Sequence, residues 1–333
     1  MSKDRLKKIV TSLQKAFGEE TVVTLNVKPQ KVEVISTGSI LIDNVIGVGG
    51  FPRGRIIELF GEEGSGKSTI ALLTVAELQR KGGIAGYVDM ENALDGEYAQ
   101  KLGVDVSSLL ISQPSSGEEG LAVAEKMLEE GVDFVVVDSV AALVPKAELE
   151  GEMGAPNIAL QARLLSQALR RLSTKVSRSN ACLVFINQIR EIPGVIFGNT
   201  ETTPGGRALK FYASVRLRVK RKTAVKDEKG VIIGDVVEIK VVKNKVAFPF
   251  RSCVLKIIWG EGYDESEGLV NIAVERGLVK NPKPGVYIVF DKELKGKEEL
   301  VEFFKTNPDA VLKLFTETSK DNVEIKNEVN SHS

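Results

Sequence analysis

Apolar positions along this chain alternate between two periods, and that alternation predicts its architecture. RIIELF (55–60), IAGYVD (84–89), SLLIS (108–112), FVVVD (134–138) and ACLVFIN (181–187) are short, near-continuous apolar runs, as strands buried on both faces are. Helical spacing fills the intervals: TIALLTVAELQRK (69–81), stopped at Gly82-Gly83, then helices near 95–102, at 117–130 and at 158–178. Strand and helix in turn predict an α/β fold whose mostly parallel, twisted sheet is covered on both faces. Three later runs, YASVRLRVK (212–220), VVEIKVV (236–242) and CVLKIIW (253–259), follow one another without helices and are expected to extend the sheet antiparallel.

The ends have a different texture. Leu6, Ile9, Val10, Leu13 and Phe17 recur at helical spacing with Lys and Arg opposite, which predicts an amphipathic helix over 3–18. TVVTLNV (21–27) is a short strand pattern and KPQK resembles a linker, so residues 1–33 form an arm that docks elsewhere or folds onto its own domain. A core is expected over 34–262. Beyond Gly262, short helices and the strand VYIVF (286–290) predict a small α+β domain over 263–318, and the polar tail 319–333 is expected to be disordered.

One stretch obeys neither period. In INQIREIPGVIFGNTETTPGG (186–206), prolines, glycines and threonines surround the apolar group Val195, Ile196, Phe197. Loops of this length without structure of their own are functional or disordered.

Composition narrows the chemistry. Lys plus Arg and Asp plus Glu each number 45 in 333 residues, so net charge points neither toward nor away from a polyanion. Cys182 and Cys253 sit in apolar runs and are expected to be buried thiols; the single histidine, His332, excludes His-based triads and most zinc sites. The start lacks an apolar h-region and no run approaches 18 apolar residues, so neither export nor a membrane partner is expected and a cytoplasmic location follows.

GEEGSGKS (61–68) matches the phosphate-cradling motif between a strand and a helix. Gly61, Gly64 and Gly66 permit the tight turn that aims successive N–H groups inward; Lys67 reaches the β- and γ-phosphates, and the Ser68 hydroxyl suits Mg²⁺. Glu62, Glu63, Ser65 and Thr69 complete the candidate nucleotide-binding segment. Asp138 closes FVVVD, where a carboxylate would hold the metal through water. Glu91, just past IAGYVD, and Asp89 compete as the group that polarises attacking water.

Several segments together resemble the bacterial RecA recombinases: STGSILIDNVIGVGGFPRGRIIELFG (36–61), YVDMENALDGEYAQKLGVD (87–105), VVVDSVAALVPKAELEGEMG (135–154), FINQIRE (185–191), FGNTETTPGGRALKFYASVRL (197–217) and VVKNKVAFPFR (241–251). The resemblance runs from about residue 5 to 315 and implies a RecA-like P-loop ATPase core with an N-terminal helix-strand arm and a small C-terminal domain. It implies ATP and Mg²⁺ as cofactors, Glu91 as the water-activating carboxylate, Tyr98 on the adenine with Asp95 at the base edge, and Gln188 as sensor of the γ-phosphate. Lys243 and Lys245 match a pair that reaches the nucleotide of an adjacent protomer, and Phe211 matches an interface position.

The irregular loop thereby acquires a meaning. The resemblance implies that 189–206 binds DNA, with Ile196 or Phe197 wedged between bases, and that EGEMGAPN (150–157), holding Met153 and Gly154, is a second such loop. Thr203, Gly205 and Gly206 would offer donors to phosphates, and Arg163, Arg170, Arg190 and Arg207 would pair with the DNA backbone. In the basic run RLRVKRKTAVK (216–226), strand alternation puts Arg216, Arg218 and Lys220 on one face, either attracting DNA or blunting a solvated edge strand. The implied function is a DNA-dependent ATPase that forms filaments of its own copies on single-stranded DNA and pairs them with homologous double-stranded DNA. Relatives also stimulate self-cleavage of a repressor in the DNA-damage response and are served by loading factors.

Overall fold

The computed structural model describes residues 3–18, 22, 32–151, 159–191 and 201–315. The chain divides into two units, residues 1–33 and 34–333. The first carries the helix Lys3–Phe17. Within that unit, Gln14 Nε2 donates to the Val22 carbonyl at 2.8 Å, and the stripe of Leu6, Ile9 and Phe17 is exposed. Apart from residue 22, the strand expected at 21–27 lies outside the described residues.

The second unit is built on a nine-stranded sheet: β1 (Arg55–Gly61), β2 (Ala85–Asp89), β3 (Leu110–Ser112), β4 (Phe134–Asp138), β5 (Cys182–Gln188), β6 (Val215–Lys226), β7 (Ile232–Asn244), β8 (Ser252–Ile258) and β9 (Gly262–Asp264). Its spatial order is β9-β8-β7-β6-β1-β5-β4-β2-β3. The six strands from β6 to β3 are parallel and β7–β9 are antiparallel. One expectation is corrected here: β6 does not begin the antiparallel extension but runs parallel to β1. Its crossover is the irregular loop plus the short helix Ala208–Tyr212, too brief to show a helical period. The edge-strand reading of the basic run holds for part of it: 216–219 lies between β1 and β7, whereas 220–226 pairs with β7 alone.

Side-chain alternation sorts the strands onto two buried clusters. Ile57, Leu59, Tyr87, Phe134, Val136, Val184 and Ile186 face the helix Lys67–Arg80. Ile56, Val88, Val135, Val137, Leu183 and Phe185 face the helices Gly117–Glu129 and Leu160–Ser179. Because the strand period is two, each further residue inherits its side from this parity. Asp138 and Gln188 project toward the P-loop helix, and Asn187 and Glu58 project to the opposite face. Cys182 and Cys253 are both buried and free, with burial pushing the Cys253 thiol up to about 12.

After β9, the helices Ser266–Glu275 and Gly296–Thr306 flank a three-stranded sheet (Lys280–Lys283, Val286–Val289, Lys292–Lys295). Its apolar residues, among them Leu269, Val289 and Phe304, continue the core on the P-loop side.

Candidate functional site

Register lines up the chemistry at the carboxyl ends of the central parallel strands, where α/β sheets place their ligands. Gly61 pairs with Gln188, Asp138 with Ile186, and Asp89 with Asp138. Gly61 has no room for a side chain, since a Cβ there would stand 2.0 Å from the Val219 carbonyl oxygen. Gly66 opens the helix Lys67–Arg80 in the left-handed region (φ 91°), which glycine adopts without penalty. Lys67 Nζ donates to the carbonyls of Gly61 (3.2 Å) and Glu62 (2.6 Å), and burial lowers its pKa against the pull of Asp138 and Glu91.

Ser68 Oγ donates to Asp138 Oδ2 at 2.7 Å. A serine hydroxyl and one carboxylate beside a phosphate cradle are the hard-oxygen donors that Mg²⁺ takes, with phosphates and waters completing its shell, so these residues fit that ion. Burial raises the Asp138 pKa, opposed by hydrogen bonds from Tyr87 and Ser68.

The two carboxylates that compete in the sequence are sorted by their surroundings. Asp89 is buried and accepts from the backbone of Ala93 (3.3 Å) and Leu94 (3.1 Å) and from Gln113 Nε2 (3.1 Å), so it organises the turn after β2. Glu91 is exposed and accepts from Ser139 Oγ and, at 3.3 Å, from Gln188 Nε2.

A cavity of about 500 Å³ runs from the P-loop past Tyr98 and Asp95. Tyr98 Oη and Thr69 Oγ1 are 3.2 Å apart, and Asp95 Oδ1 caps the helix Gly96–Lys101 by accepting from Glu97 and Tyr98 N–H. The opposite wall consists of Ile257, Trp259 and the Arg221–Asp235 ion pair (2.6 Å). Sequence reasoning missed this wall. Trp259, the single tryptophan, is 51% exposed at the end of an apolar run, which was its one visible signal.

The irregular loop leaves directly from this site. Ile189 N donates to the Gly61 carbonyl, and Arg190–Glu191 pairs antiparallel with Glu201–Thr202, clamping both ends of the loop. Beneath the clamp lies a buried network absent from the sequence reading. Glu58, fully buried, accepts from Asn187 Nδ2 (3.0 Å) and pairs with Arg216, while Asn187 Nδ2 also reaches the Pro204 carbonyl at 3.3 Å. Arg218 pairs with Glu201 at 2.6 Å. Arg216 and Arg218 thus serve the sheet and the loop base. Thr203 is buried, and Gly205 (φ 83°) passes so near the helix Leu160–Ser179 that a Cβ would lie 2.6 Å from Leu165 Cδ2. Gly206 has the same left-handed backbone.

Arg163 and Arg170 lie two turns apart on the exposed face of that helix, and Arg190 and Arg207 are exposed too. Met153, Gly154, Ile196 and Phe197 lie outside the described residues. Lys243 Nζ donates to the carbonyls of Lys210 (2.6 Å) and Phe211 (2.9 Å), and Lys245 Nζ stands 5.7 Å from the centre of the exposed Phe211 ring. Burial, with Lys245 and Arg216 nearby, lowers the Lys243 pKa to about 8.

A glycine-rich turn between a parallel strand and its helix, with an acid closing a neighbouring strand, defines a P-loop nucleotide-binding protein of the α/β class. The sequence model of the RecA N-terminal domain matches residues 4–264. Over 315 residues the chain is 51% identical to Protein RecA of Staphylococcus aureus strains JH9, Newman and Mu50, covering 92% of this chain and 90% of theirs. The chain belongs to the RecA family. It is therefore a recombinase of DNA repair that binds DNA, assembles with its own copies and depends on nucleotide. Among the described residues no helix is long and apolar enough to cross a membrane.

Proposed function

We propose that the chain hydrolyses ATP with Mg²⁺ in the cavity at Gly61–Thr69, and that the triphosphate controls the DNA grip of loop 189–206. The observation that carries this reading is the contact of Gln188 with Glu91 at the site and, one residue on, the bond of Ile189 to the P-loop. Lys67 binds the β- and γ-phosphates, Ser68 and Asp138 hold the ion that neutralises phosphate charge, and Glu91 takes the proton of the attacking water. Tyr98 stacks on the base with Asp95 at its edge. A change at the γ-phosphate shifts Gln188, and the clamp at Arg190 and Thr202 passes that shift to the loop, a two-state element biased by both ligands.

On the DNA side, Arg163, Arg170, Arg190 and Arg207 supply charge, and Met153, Gly154, Thr203, Gly205 and Gly206 belong to the two binding loops. Ile196 or Phe197 opens the base stack. Residues 1–33 act as the polymerisation arm on the core 34–262, with 263–318 as the small C-terminal α+β domain and 319–333 as its tail. The exposed edge strand β3, with Leu110 and Ile111 uncovered, is a suitable acceptor for the arm of another copy. Lys243, Lys245 and Phe211 face the neighbouring protomer. Stimulation of repressor self-cleavage and delivery by loading factors belong to the same proposal.

ATP hydrolysis with and without single-stranded DNA, over a salt series, tests this reading. Turnover is expected to rise with DNA and the DNA dependence to weaken steeply with salt. Lys67→Ala should abolish turnover with the melting temperature kept, and Phe197→Ala should weaken DNA binding alone. DNA-independent turnover would overturn the coupling.

A further inference from the structure

Tyr87 lies in the middle of β2, 1% exposed, in a core of apolar side chains that a phenyl ring would fill equally well. Its hydroxyl nevertheless reaches the site: Tyr87 Oη donates to Asp138 Oδ2 at 2.5 Å. Ser68 donates to that same oxygen at 2.7 Å, so one carboxylate oxygen is held from two elements, the neighbouring strand and the first turn of the P-loop helix. Oδ1 has no hydrogen-bond partner among the described residues.

From this arrangement we infer that Tyr87 is a positioning residue for the metal: its buried hydroxyl fixes the rotation of the Asp138 carboxylate so that Oδ1 stays free to face the ion and its waters. The inference rests on the proposed roles of Ser68 and Asp138. Its physical basis is the soft terminal torsion of an aspartate, which is broad and nearly two-fold and so sets no orientation by itself. Ser68 cannot set it either, because a hydroxyl can rotate toward a ligand. Tyr87 can, since its ring is locked in the core and so fixes the place of the oxygen from which Asp138 Oδ2 accepts, with the Ser68 hydroxyl beside it. Hydrogen-bond partners of this kind govern metal affinity through the ligand they orient.

The test compares full-length wild type, Tyr87→Phe, Asp138→Asn and the double variant, each for ATP affinity in EDTA, ATP affinity across a Mg²⁺ series, and melting temperature without ligands. Tyr87→Phe is expected to raise the Mg²⁺ midpoint by about tenfold, the lower end for such partners. Its affinity in EDTA and its melting temperature should match wild type, and the double variant should show the midpoint of Asp138→Asn alone. Superimposable Mg²⁺ series for wild type and Tyr87→Phe overturn the inference. So does an equal loss of ATP affinity with and without Mg²⁺, which would make the phenol a general support of the pocket. Additive effects in the double variant would likewise exclude action through Asp138. Failure of wild type to bind ATP at all would instead refute the proposed function.

Discussion

Gln188 Nε2 lies 3.3 Å from Glu91 Oε1, so the last residue of β5 touches the exposed carboxylate beyond β2. Glu91→Gln keeps the size and the contact but removes the base. Hydrolysis is expected to fall by about 10²–10⁴-fold, the span of general-base catalysis, with nucleotide binding retained. Gln188→Ala should act differently, leaving nucleotide affinity intact while DNA affinity no longer differs between ATP and ADP. Fluorescence anisotropy of a labelled oligonucleotide in both nucleotides checks this.

Lys243 is half-buried against its own chain through the Lys210 and Phe211 carbonyls, close enough to the surface to be offered to a neighbour. If it completes the site of another protomer, Lys243→Ala and Lys67→Ala filaments are each inactive. Mixed one to one, they should regain about a quarter of the wild-type interfaces, the random-mixing share for a head-to-tail contact. Phosphate release from the mixture reads this directly, and no recovery would mean that Lys243 acts within its own protomer.

Gly205 combines a positive φ of 83° with a Cβ position 2.6 Å from Leu165. Gly205→Ala is therefore expected to lower stability by about 1–3 kcal/mol, from backbone strain and overpacking together. Thermal melts of the two proteins check it, and an unchanged melt would mean the helix Leu160–Ser179 yields freely.

Burial raises the Asp43 pKa to about 6, although it accepts from Ser36 Oγ, Thr37 N and Thr37 Oγ1. Burial likewise raises Glu265, which caps the helix Ile40–Ile46 through Ser39, Ile40 and Leu41. A folded pKa above the unfolded one means that the native state binds more protons between about pH 4 and 6, so stability falls as pH rises through that window. The loss at Asp43 is on the order of 3 kcal/mol. Asp43→Asn should reduce the slope between pH 4 and 6 in denaturant titrations, leaving the contribution of Glu265.

The strands, the helices between them, the P-loop and the acid closing FVVVD were legible because each is a local pattern, repeated or completed within a few residues. Buried parallel strands must be apolar throughout, and a phosphate cradle must carry its glycines in fixed order, so the chemistry is written contiguously. Contacts across the sheet leave no such trace. Glu58 meets Arg216 across 158 positions, and Tyr87 meets Asp138 across 51, because β1 adjoins β6 and β2 adjoins β4 in space. Strand order and register decided those pairings, the parallel direction of β6, the wall at Trp259, and the separate surroundings of Asp89 and Glu91. None of these could be read from the period of a side chain along its own strand, since that period states which face a residue takes and not which strand lies beside it.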